Sequence, residues 1–349
     1  MNLSVSFAPK IAIFGILAAL IFSCQSESSY FQENATTVFI DDDFTKIVHL
    51  KSEELDYFSD SLIFGPALSI VNEYLFISEV KTNKFVHILR IPDDVYLGKF
   101  GRKGVGQGEI LIPWEFSKSK DGLIRILDKQ QNKLVEYYAD SLAYRGQFNK
   151  EYFLDPMAMV TSASIYNNKL YFLNRSDSEF RLYEKGLSDG YEKGYGELPE
   201  KAYFFMSNKK HREICSANLT NRENIFVVSY RYIPMIQIFD LDKSRWVSIV
   251  GPENSVPRYK NQTSSTYYHP SIKISDDYIY ALYNGKKKKG IYSQQGNTIY
   301  MFSHDGVPIK KIVLDKNIVS FDIYDSKFIY AYSFNENLEP KILKFALNL

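Results

Sequence analysis

The sequence is poor in cysteine, tryptophan and histidine, and it carries almost no net charge. Two cysteines in 349 residues permit at most one disulfide, which excludes a disulfide-stapled scaffold. A net charge of +1 leaves no basic excess to meet phosphates, so a nucleic-acid partner is not expected. Long apolar runs are missing as well. The longest, Ile11–Phe22, has 12 residues, against the roughly 20 needed to span a bilayer. The five histidines (His49, His87, His211, His269 and His304) are too scattered for a short metal motif, and no cysteine cluster supports one. Neither a cofactor nor a metal is implied. No sustained heptad or 3.6-residue period runs through the chain, which argues against a helical fold. What is abundant is tyrosine (27) and phenylalanine (25), residues that suit a half-buried pleated surface. With 45% hydrophobic and 24% charged residues, the chain is globular rather than disordered.

The amino terminus reads as an address. Lys10 precedes the short apolar run, as in the core of a signal peptide. The run ends in Ile21-Phe22-Ser23-Cys24, which resembles the lipobox of bacterial lipoproteins. That resemblance implies cleavage before Cys24 and acylation of its thiol. Residues 1–23 are then a signal peptide, 24–35 a polar tether, and 36–349 the folded domain. Each buried CH₂ contributes about 0.8 kcal/mol, so two or more acyl chains would hold the protein stably on a membrane. The expected location is the cell envelope, on the outer membrane. The plainer alternative is a secreted protein with an incidental cysteine. With Cys24 acylated, Cys215 is the only remaining thiol and no intramolecular disulfide forms.

Beyond the leader, the recurring unit is a short apolar or aromatic run followed by a polar turn. Six such runs begin at Tyr74, Leu123, Leu170, Ile225, Ile279 and Phe328, spaced 47 to 55 residues apart. Four-stranded propeller blades have about this period. Two units align residue by residue: Glu79 to Ile88 and Asp128 to Tyr137 each place an acid at a strand end, turn through Asn-Lys, and re-enter an apolar strand. Asparagine tolerates the left-handed backbone of such turns. The fold expected is an all-β, six-bladed β-propeller with four-stranded antiparallel blades. A propeller must seal its ring, because an open edge strand invites pairing. The strand-like segment Thr36–Leu50 is expected to join the C-terminal blade and close it. A short helix is expected near Glu197–Glu213.

The segment Phe100-Gly101-Arg102-Lys103-Gly104-Val105-Gly106-Gln107-Gly108-Glu109, with Pro113 beyond it, resembles the glycine-rich connection of the Bacteroidetes six-bladed lipoproteins often called TolB-like propellers. The hairpin Asp128 to Tyr137 is similar to NHL-type repeats, and Ile299 to Gly306 also looks familial. The resemblance implies a propeller fold and an envelope location, and no particular activity. Strands alternate direction within a blade, so second-to-third turns and inter-blade links share one rim. Asn83, Lys84, Asn132, Lys133, Arg102, Lys103, Gln107 and Glu109 are therefore the candidate binding residues, with support of the blade-to-blade turns as the plainer role.

Other motifs weigh less. Gly186-Leu187-Ser188-Asp189-Gly190 matches the nucleophile elbow of hydrolases but is not followed directly by a helix pattern, so it reads as a turn. The four glycines at 101, 104, 106 and 108 lack the Gly-Lys-Ser/Thr of a phosphate loop. Asp41-Asp42-Asp43 lacks the remainder of a calcium loop, and Lys286–Lys289 reads as a solvated hairpin tip or a contact for anionic glycans or headgroups. With no local catalytic constellation, the expected function is a non-enzymatic binding or scaffold module for a glycan, peptide or envelope protein. The alternative is a hydrolase or lyase assembled in the central channel from several blades.

Overall fold

A computed structural model describes residues 36–347 apart from 57–66, 145–147, 156, 177–178, 200, 202–205, 254–264 and 286–293. The expected signal peptide, Cys24 and the expected tether therefore lie outside the described residues, as does Lys286–Lys289.

Six sheets follow one another along the chain, each built on a four-stranded antiparallel blade, which we number 1 to 6. Blade 1 shows the plan, with strands Leu68–Val71, Tyr74–Ser78, Val86–Arg90 and Val95–Phe100 running from the axis outward. The innermost strands of blades 2 to 6 are Pro113–Lys118, Val160–Tyr166, Ala217–Arg222, Ile272–Ile274 and Ser320–Tyr324. The six apolar runs of the sequence are the second strands of the blades, which explains why they are the most regular signal. A second strand has a partner on each side and a packed neighbour on each face, so its residues are almost uniformly buried, as in Tyr74–Ser78 and Ile225–Tyr230.

Each blade is too thin to bury its faces alone, and the core is divided into six clusters that each join consecutive blades. Phe76, Phe85 and Ile88 of blade 1 meet Ile126, Val135 and Tyr137 of blade 2. Tyr330, Tyr332 and Ile342 of blade 6 meet Leu68, Leu75 and Leu89 of blade 1, which completes the circle.

The ring is closed by an N-terminal strand, but not by the expected one. Blade 6 supplies three strands from the C-terminal part of the chain, and the fourth is Ser52–Glu54, antiparallel to Leu343–Phe345. The segment Thr36–Leu50 instead straps the outside of two earlier blades. Thr37–Val38 pairs in parallel with the outer strand of blade 4 at Ile249–Val250. Ile47–Leu50 pairs in parallel with blade 5 at Lys311–Leu314. The reason is aromatic: Phe39 and Phe44 are buried in the blade 4–5 core, with Phe44 stacked on Tyr300 at 4.9 Å between ring centres. Seating these two rings fixes residues 36–50 there and leaves the next residues, 52–54, at the open edge of blade 6.

Helix is sparse. Asn208–Ile214 falls within the expected region, capped by Ser207, whose hydroxyl accepts from the Lys210 amide. Ala139–Tyr144 follows blade 2's third strand and was not legible as a helix. Among the described residues no helix is long and apolar enough to cross a membrane.

Candidate functional site at the mouth of the central channel

The inner strands carry polar residues towards the axis. Across the channel run three charged side chains from three blades. Asp322 of blade 6 pairs with Lys118 of blade 2 at 2.8 Å and accepts from the Ile70 amide of blade 1 at 2.8 Å. Lys118 also donates to the Ile70 carbonyl at 3.1 Å, and Lys273 of blade 5 donates to the Leu68 carbonyl at 3.3 Å. Burial pushes the Asp322 carboxyl up, but the ammonium groups of Lys118 and Lys273 outweigh it and hold it below the usual carboxylate range. Burial in turn lowers Lys273, with Asp322 opposing the shift.

One cavity opens at the end of the channel that bears the second-to-third-strand turns. It measures about 170 Å³ and is lined by Trp114 and Glu115 of blade 2, Asn218 and Arg231 of blade 4, Lys273 of blade 5 and Ser320 of blade 6, among others. A second of about 440 Å³ lies at the other end, lined by Lys118, Lys120, Arg125 and Arg222. The charges lining that second cavity are paired: Lys120 with Glu223, Arg125 with Glu136, Arg222 with Asp276. The first is different. One oxygen of Glu115, Oε2, is buried without a hydrogen-bond partner. The residue as a whole retains some surface inside the channel, yet protein surrounds its carboxyl. Desolvation pushes this carboxyl up to about 7, against the opposing effects of the Ser162 hydroxyl, Arg231 and Lys273.

Cations gather at the same mouth. The Lys129 ammonium sits 3.5 Å from the centre of the Trp114 ring. Desolvation, then the nearby guanidinium groups of Arg231 and Arg175, lower its pKa. Arg231 is oriented by two bonds to the Asn218 side-chain oxygen, at 2.6 and 3.1 Å. Among the described residues, Lys129, Arg175 and Arg231 make no ion pair with an acid.

The eight candidate residues of the sequence lie around the same end but line neither cavity. The shared rim is real: the Lys103 amide donates to the Asn83 carbonyl at 3.1 Å, and Lys133 Nζ donates to the Gly106 carbonyl at 3.1 Å. Most of the eight take part in bonds within these turns and inter-blade links. Lys133 is buried and also pairs with Glu151 at 3.1 Å. Lys103 Nζ donates to the Val80 carbonyl, and the Asn132 side chain donates to the carbonyls of Asp155 and Ala158. Glu109 accepts from the Gly106 amide at 2.9 Å and pairs at 3.3 Å with Arg102, whose side chain is 81% exposed. Lys84 and Gln107 are exposed. Gly101 has φ +73, and a Cβ there would lie 2.1 Å from the Phe85 ring, so close packing against the blade accounts for that glycine.

Gly186–Gly190 forms the tip between the third and fourth strands of blade 3, with Gly186 N–H bonded to the Tyr191 carbonyl. It is a hairpin turn and no strand-to-helix elbow. Cys215 is buried, its thiol pushed up to about 12 by desolvation, which leaves it unreactive. His269 is enclosed and lowered to about 4 by burial, hence neutral.

The family model of TolB-like six-blade propellers matches residues 43–327. The chain belongs to this family. Solved structures of similar fold include a protein described as exported from Bacteroides fragilis NCTC 9343, at 14% identity and TM-score 0.56, with 90% of this chain and 99% of that one covered. A luciferin-regenerating enzyme aligns at 10% identity and TM-score 0.51, over 86% of this chain and 96% of that one. U3-55K aligns at 10% identity and TM-score 0.50, over 81% and 95%. At such identities the likeness is one of fold. A search of curated proteins finds no significant match.

Glu115, Lys129, Arg231 and Lys273 were not among the candidates read from the sequence. A signal did exist. Once the repeat is aligned, the first strand of each unit faces the axis, and charges within otherwise apolar strands, as in Pro113–Lys118 (PWEFSK) and Ser320–Tyr324 (SFDIY), mark the channel.

Proposed function

We propose that this TolB-like propeller is an envelope-anchored module that binds a small polar ligand at the mouth of its central channel. The observation that carries this reading is the buried, unpartnered oxygen of Glu115 in a cavity edged by Arg231, which makes no ion pair among the described residues. A polar atom desolvated without a partner costs free energy, about 1–3 kcal/mol, and a ligand that satisfies it recovers that cost. The blade-to-blade rim would extend the contact for a glycan or an envelope protein, with exposed Arg102, Lys84 and Gln107 and the neighbouring Asn83, Asn132, Lys103, Lys133 and Glu109 framing it. Acylation at Cys24 would hold the module on the membrane, with residues 24–35 as its tether. The test is calorimetric titration of the protein with glycan fractions of the cell envelope. Binding that weakens in Trp114→Ala and Glu115→Ala supports the reading, and binding that neither substitution alters refutes it.

A second reading has one observation in its favour. A carboxyl raised to about 7 is suited to general acid–base work at neutral pH. In that case envelope glycans would be cleaved by the wild type, with a bell-shaped or sigmoidal pH profile, and Glu115→Gln would abolish the products seen by mass spectrometry.

A further inference from the structure

We infer that the channel mouth takes a small hydroxylated anion, its acidic group held by Lys129, Arg175 and Arg231 and a hydroxyl held by Glu115. The inference deepens the binding reading above by naming a ligand class, and it rests on that reading. Three cations from three blades neighbour one another at the mouth: Arg231 of blade 4 lines the cavity, Lys129 of blade 2 sits over its Trp114 wall, and Arg175 of blade 3 lies close enough to bear on the Lys129 charge. In folded proteins such groups normally find carboxylates, as the cations around the opposite cavity do. Here none of the three is ion-paired among the described residues; Glu115 faces Arg231, but burial raises its carboxyl to about 7, so at neutral pH it compensates only in part and an anion would relieve the remaining repulsion. Arg231 is held in place by Asn218, so little side-chain freedom remains to be lost on binding.

Glu115 supplies the second half of the recognition. Its Oε2 is buried and unpartnered. Near neutral pH the group exchanges between acid and carboxylate, so it both donates to and accepts from a hydroxyl. A bare inorganic anion would leave this group unsatisfied. A cationic ligand would suit Glu115 but would face three like charges. A sugar acid or a sugar phosphate satisfies both sides, and a cavity of about 170 Å³ suits a single such unit.

The experiment is calorimetric titration of the full chain in detergent with glucuronate, glucose 6-phosphate and glucose. Binding of either acid, with glucose at least about tenfold weaker, is the expected result, and whichever acid binds tells carboxylate from phosphate. Arg231→Gln should weaken acid binding at least tenfold. Lys129→Met, at an exposed position, should do likewise and serves where the first variant folds poorly. Glucose binding as tightly as the acids would overturn the anionic class while leaving the binding reading intact. Acid binding unchanged in both variants, or no binding of any of the three, would also overturn it; the envelope-glycan titration then decides separately whether the mouth binds anything.

Discussion

Replacing Glu115 by glutamine should stabilise the ligand-free protein at high pH and leave it nearly unchanged at low pH. The carboxyl is raised from 4.5 in the unfolded chain to about 7 in the fold. A raised acid binds its proton more tightly when folded, so stability is lost as pH climbs from the unfolded to the folded pKa. At pH 4 both states are largely protonated and the penalty is about 0.2 kcal/mol; by pH 8 it has grown to about 3 kcal/mol. Glutamine never ionises and escapes the penalty. At roughly 2 cal/mol/K of unfolding entropy per residue, 3 kcal/mol corresponds to about 5 °C in melting temperature. Glutamine keeps the buried, unpartnered position, and Lys273 loses part of its electrostatic support. The pH dependence of the difference between wild type and variant therefore carries the test, rather than its absolute size. Urea denaturation of both proteins at pH 4, 6 and 8 measures it. A difference that stays flat across that range, or one favouring wild type increasingly as pH rises, would show that Glu115 is not desolvated as described.

Other consequences can be checked in the same way. Asp322→Ala strips the counter-charge from Lys118 and Lys273 and frees the Ile70 amide, so it should cost about 3–5 kcal/mol in denaturant titration; a loss under 1 kcal/mol would mean water solvates the channel there. Because the Asp322 carboxyl is held low, its contribution is present at neutral pH and disappears as pH falls below the usual carboxylate range, and Asp322→Asn should lack that part of the acid limb. Phe39→Ala should cost about 3–5 kcal/mol through the cavity it leaves between blades 4 and 5, whereas deletion of residues 25–35 should leave the melting temperature alone. Cys24→Ala should move the protein from the membrane to the soluble fraction, and continued membrane retention would end the lipoprotein proposal.

The sequence alone determined the number of blades, the identity of their second strands, and the rim at which turns and inter-blade links meet. Those features are periodic and local. A fully buried strand must be apolar along its length, and an Asn-Lys turn signals itself within a few residues. Even the acid at the strand end has a local reason: Asp128 accepts from the amides of Gln130 and Gln131, shaping the turn that follows it. Only the tertiary structure decided which N-terminal strand closes the ring. Thr36–Leu50 reads as strand-like from its own residues, but where it pairs rests on where Phe39 and Phe44 find a core about 190 to 260 residues further along, and that leaves Ser52–Glu54 to close the ring. The channel mouth was hidden for the same reason. Trp114, Glu115, Arg175, Arg231 and Lys273 span some 160 positions of sequence, and nothing in the neighbours of any one of them records the others. Closing the ring brings four blades to one axis, and the exclusion of water around Glu115 there raises an ordinary glutamate to a carboxyl poised near neutrality.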